Sequence, residues 1–66
     1  MYVIDVGGQG QVYAGNSRKK AKRVFYRWVN HLMSRNIRAS VTAYANGICV
    51  KEHDNDLVMT YSTELM

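Results

Sequence analysis

Proline is absent from this chain, cysteine occurs once, and no Asp or Glu occurs between Val6 and Lys51. The lone Cys49 excludes an intrachain disulfide, so folding rests on an apolar core, and the chain suits a reducing, cytoplasmic compartment. With no proline, and no low-complexity stretch beyond Gly7-Gly8-Gln9-Gly10, the sequence offers no linker that would divide it. No apolar run approaches the ~18 residues of a membrane span, and the opening Met1-Tyr2-Val3-Ile4-Asp5 does not read as a signal peptide. The expectation is one small basic domain over residues 1–66. A chain this short buries only roughly 60% of the surface its unfolded form exposes, which leaves little support for a deep enzyme cleft. Hydrophobic residues at 47% and charged residues at 21% exclude a disordered composition.

The acidic gap shapes the charge distribution. The net charge is +4, with 9 basic residues against 5 acidic ones. All the basic side chains fall in residues 6–51, whereas residues 52–66 hold Glu52, Asp54, Asp56 and Glu64 and no Lys or Arg.

Tyr2–Val6 and Gln11–Ala14 are β-prone runs separated by the glycine cluster, which reads as a hairpin. Asn16 or Ser17 then supplies an N-cap for a helix reaching Ser34 or Arg35, with Asn36 at C′. Ala21, Val24, Phe25, Trp28, Val29, Leu32 and Met33 follow the i, i+3, i+4, i+7 template and occupy one face. Trp28, near the middle of that stripe, is expected to be buried against residues such as Val41 or Val50. From Ile37 to Ala45 apolar and polar residues alternate, the signature of a half-buried strand. Asn46-Gly47 is the preferred pair for a type I′ turn. Pairing Ala45 with Ile48 sets Ile48 and Val50 beside Val41 and Ala43. A second turn at Asp54-Asn55 would bring Leu57, Met59 and Tyr61 opposite Glu52, Val50 and Ile48. The fold class that follows is α+β: a single helix packed on one face of a small antiparallel sheet, in ββαβββ order.

The helix face away from this stripe carries Lys19, Arg23, Arg27 and His31 at successive i, i+4 positions, flanked by Lys20, Lys22, Tyr26 and Asn30. No acidic residue offsets them. Like charges at i, i+4 destabilise a helix by roughly 0.2–0.5 kcal/mol per pair. Arg18, Lys19 and Lys20 also crowd the first turn, where the helix dipole favours anions. Broken local rules of this kind concentrate at functional surfaces. The plainer alternative is a solubilising face neutralised by the acidic C-terminal strands, although solvated faces normally mix signs.

Other candidates are weaker. The outer sheet face is expected to show Arg38, Ser40, Thr42, Tyr44, Cys49, Lys51, Val58 and Thr60, where Tyr44 beside cations could stack on a base or be an ordinary strand residue. The glycine cluster lacks the Gly-x4-Gly-Lys-Ser/Thr pattern of a phosphate loop. His31, Cys49 and His53 are too few and too irregularly spaced for a metal site, so no metal or cofactor is expected. Catalysis would need a nucleophile or base with an orienting partner. The only adjacent pair, His53-Asp54, falls at an expected hairpin tip, so no enzyme is expected.

Two functions remain. One is a nucleic-acid binder using the basic helix face, since clustered Lys and Arg are the footprint of phosphate recognition. The other is an inhibitor or adaptor of the kind phages and mobile elements encode, docking the same face on an acidic protein surface. A nucleic-acid binder would require the acidic last quarter to face away; an inhibitor could use both signs. A homodimer through a sheet edge is a further possibility, because small unstapled domains often dimerise.

Overall fold

A computed structural model describes residues 1–55 and, for the backbone, Met59–Ser62. Strands β1 (Tyr2–Val6) and β2 (Gly10–Gly15) precede helix α1 (Arg18–Arg35), and β3 (Ser40–Ala45) and β4 (Ile48–Asp54) follow it. The architecture is α+β: one helix on an antiparallel sheet of four strands, in ββαββ order, with β1 and β3 central. Beyond β4, the backbone of Met59–Ser62 lies antiparallel to it, with Asp54 opposite Met59 and Tyr61 opposite Glu52. That register differs from the one the sequence suggests, because the connection is longer than a tight turn at Asp54-Asn55. Asp56, Leu57, Val58 and Glu64 lie outside the described residues, as do the side chains of Thr60 and Tyr61.

Local chemistry fixes the helix ends. Ser17 is the N-cap, its hydroxyl accepting from the Lys20 N–H at 3.2 Å. At the other end Asn36 adopts a left-handed conformation (φ 53°). Its N–H reaches the Met33 carbonyl and the Ile37 N–H reaches that of Leu32, a Schellman ending. This paired ending also delays the next strand. Ile37, Arg38 and Ala39 lie outside β3, which starts at Ser40. Asn55 reinforces the corner by donating through Nδ2 to the carbonyls of Leu32 (3.2 Å) and Ile37 (2.7 Å). The Asn46-Gly47 turn has both residues at positive φ, as a type I′ turn requires.

Ala21, Phe25, Val29 and Leu32 bury one helix stripe against Ile4, Val6, Val41, Ala43 and Val50, with α1 lying over β1, β3 and β2. Phe25 is the largest fully buried side chain. The stripe is narrower than its sequence template. Met33 is exposed, and Trp28 is half-buried at the core margin rather than central to it. The reason is angular. At about 100° per residue, Ala21, Phe25, Val29 and Leu32 cluster tightly, and Trp28 sits well to one side of their centre.

A bulge between Ala43 and Tyr44 changes the faces of β4. Tyr44 opposes Cys49, yet Ala43 opposes Lys51, leaving Val50 as the extra residue. Val50 and Lys51 are consequently both buried, and His53, opposite Val41, is buried too. Three expectations fail here. Ile48 is 62% exposed. Lys51 belongs to the helix side of the sheet. His53 is not at a hairpin tip, and its Nε2 lies 3.3 Å from the Asn55 Oδ1. Lys51 is accommodated because its ammonium donates to the Tyr26 hydroxyl and sits 4.3 Å and 5.5 Å from the Tyr26 and Phe25 ring centroids. Cation–π attraction then replaces part of the hydration lost on burial.

Candidate functional site

Helical geometry turns the i, i+4 spacing of Lys19, Arg23, Arg27 and His31 into a ridge. Each step rises about 6 Å and rotates only about 40°, so the ridge runs some 18 Å along α1 with a slow drift around it. All of these residues are exposed, as are Lys20, Lys22, Tyr26 and Asn30. The first turn contains no acidic residue. Among the described residues, no carboxylate pairs with Lys19, Lys20, Lys22, Arg23 or Arg27. Among the described residues their charges face water and one another.

The flanking residues divide between the two sides of α1. Lys22 and Tyr26 lie toward β4, where the Tyr26 hydroxyl is held by Lys51. The Tyr26 ring also packs edge-on against Phe25, with centroids 5.4 Å apart. Tyr26 is therefore partly a structural residue, a role the sequence pattern did not show. Lys20 falls on the opposite side, close to the line of Arg27 and His31. Asn30 stays on the ridge, and Ser34 closes it by donating to the His31 carbonyl.

Beside Arg27 and His31 lies Trp28. Its ring meets His31 edge-to-face, with centroids 5.6 Å apart and planes at 82°. The three side chains line an open hollow of about 350 Å³. Trp28 is the lining residue that the apolar template concealed, because helical periodicity counted it as core. The signal was nonetheless present: i, i+3 spacing brings Trp28 beside His31.

The far side of the sheet has the opposite character. Val41 and Ala43 point toward α1, so the alternating Ser40, Thr42 and Tyr44 point away. Asp5, Thr42 and Glu52 form one row across β1, β3 and β4; Val3, Tyr44 and Cys49 form the next. The sequence places Lys51 beside Tyr44, but the bulge removes it from this face and leaves carboxylates there. Tyr44 thus has no strand cation beside it to build a stacking platform. His31, Cys49 and His53 lie on the helix ridge, the outer sheet face and the inner sheet face respectively. Comparison with protein-family models, curated proteins and solved structures finds no match to this chain.

Proposed function

We propose that this chain is a non-enzymatic binding module that docks the exposed face of α1, centred on Lys19, Arg23 and Arg27, on nucleic acid. The observation that carries the reading is the separation of charge. The ridge is exposed, of one sign and unpaired among the described residues, whereas Asp5 and Glu52 occupy the opposite face of the molecule. A phosphate backbone can approach the helix without meeting those carboxylates. Arg offers forked donors and Lys a mobile point charge, both suited to phosphate oxygens.

The triple reversal Lys19→Glu/Arg23→Glu/Arg27→Glu tests this. Binding to nucleic acid should be lost while the melting temperature does not fall, since the change relieves like-charge repulsion and adds an acid to the first helical turn. Wild-type affinity should decline linearly on log–log axes with salt. Three phosphate contacts on a single strand give a slope of about −2. An unaltered affinity in the triple variant would reduce the ridge to a solvated face. A partner retained after nuclease treatment, with a shallow salt dependence, would reassign the ridge to an acidic protein surface, the inhibitor or adaptor reading.

We further infer that Met59–Ser62 acts as a fifth strand, β5, giving the ββαβββ order. Its antiparallel register beside β4 supports this. Amide exchange should be slowed in Met59–Ser62 along with β4; free exchange there would limit the sheet to four strands.

A further inference from the structure

The ridge accounts for attraction to phosphate but assigns no role to the hollow beside it. We infer that the Arg27–Trp28–His31 hollow is a stacking site for one unpaired base, which makes single-stranded nucleic acid the ligand class. This rests on the proposed nucleic-acid reading and narrows it.

Three observations converge on one occupant. First, Trp28 is half-buried: its inner part packs on the core margin, so the ring is held before any ligand arrives. A platform fixed in advance loses little conformational freedom on binding. Second, among the described residues the lining is an indole, a guanidinium and an imidazole, with no carboxylate. Indole offers a π-face to any base, and Arg can stack on the base or bond its phosphate. Third, a volume of about 350 Å³ sits at the lower end of small-ligand sites, roughly 300–1,000 Å³. That is room for about one nucleotide. Bases inside a duplex have both faces covered by their neighbours, so only an unpaired base can present one to Trp28. Arg27 belongs to both the ridge and the hollow. A strand whose phosphates follow Lys19, Arg23 and Arg27 therefore has a base within reach of the indole at the Arg27 end.

Trp28 is the only tryptophan of the chain, so its emission reports on the hollow without labelling. Three probes are titrated at constant pH: a short oligothymidylate, a long blunt DNA duplex, and heparin, a polyanion without bases. The oligothymidylate should bind and quench Trp28 strongly, whereas heparin should bind and leave the emission unchanged. The duplex should bind through the ridge with little quenching. In Trp28→Leu, which keeps an apolar group on the core margin, oligothymidylate affinity should fall about tenfold relative to the same variant's heparin affinity, within the range of one stacked base. Oligothymidylate binding with unchanged emission, or equal quenching by duplex or heparin, would overturn the stacking site and leave the ridge standing. Failure of all three probes to bind would remove the ridge reading, and this site with it.

Discussion

On one flank of α1 the Tyr26 and Phe25 rings receive Lys51 from β4; on the other, Arg27, Trp28 and His31 line an open hollow to which, among the described residues, only the helix contributes. Both flanks hold an aromatic ring and a basic side chain, but only on the β4 flank does the cation sit over the ring. On the β4 flank the cation comes from the protein's own sheet and the space is closed. On the Trp28 flank the cation lies on the same helix as the ring, and the space beside it is open to water. A charge buried against its own aromatics stabilises a particular packing. A charge left beside an open ring is available to something else. Residue types alone do not separate these roles; the strand that reaches each flank does.

The sharpest way to break this comparison is to shorten an aromatic on each side. Phe25 is fully buried, and Phe25→Ala should cost ~3–5 kcal/mol, a large share of what a domain this small can have. Trp28→Ala removes a larger ring but leaves a smaller void, since part of that ring already faces solvent. Its loss of stability should be clearly the lesser of the two. Thermal unfolding should rank wild type above Trp28→Ala, and Trp28→Ala above Phe25→Ala. The reverse order would make Trp28 the core residue its sequence position suggests and would close the hollow as a ligand site.

Much of this arrangement is legible in the sequence, because it is written in local signals. Ser17 as N-cap, Asn36 as the left-handed ending and Asn46-Gly47 as the turn each depend on the backbone preferences of one or two residues. The i, i+4 series of Lys19, Arg23, Arg27 and His31 likewise needs only helical geometry. The faces of β4 need more. Strict alternation assumes one residue opposite one, and the bulge at Val50 breaks that count through pairing with a distant strand. Lys51 is the consequence. Its charge reads as outward-facing, and only the Tyr26 and Phe25 rings on another element make burial tolerable. Trp28, packed against the core but at its margin, departs from its expected central place for a related reason. A hydrophobic pattern marks which residues are apolar, but the width of the stripe that a small sheet can cover is set by packing.

A matched pair of substitutions sharpens the contrast at smaller amplitude. Lys51→Met retains a long flexible chain that can lie against both rings, and the exposed side of Tyr26 lets its hydroxyl turn to water. Replacing a buried charge by an apolar group of similar length is often neutral or stabilising. Stability should therefore hold within about 1 kcal/mol, with nucleic-acid affinity unchanged. Arg27→Met should do the opposite. Stability should be unaltered and affinity should fall, and the salt slope should become shallower by about 0.7, the contribution of one phosphate contact on a single strand. Chemical denaturation and a salt titration on the two proteins decide it. A binding defect in Lys51→Met would mean that the closed flank is also part of the interface.

The smallest effect is expected on the face that neither flank touches. Cys49 is half-buried on the outer side of the sheet, opposite Tyr44, and among the described residues its thiol makes only a long contact of 3.9 Å with the Lys51 carbonyl. Serine is nearly isosteric, and its hydroxyl can bond that carbonyl or water, so Cys49→Ser should change stability by no more than about 0.5 kcal/mol. Affinity should not change, because the sheet separates this position from α1. The same position gives a stronger test of direction, since it is the only thiol in the chain. A bulky maleimide attached there adds mass to the face that carries Asp5 and Glu52. Labelled protein that still unfolds cooperatively should bind oligothymidylate as tightly as unlabelled protein and quench Trp28 to the same extent. Blocked binding in folded, labelled protein would place the carboxylate-bearing face in the interface. The partner would then have to present both signs of charge, and the phosphate reading of the ridge would give way to docking on a protein surface.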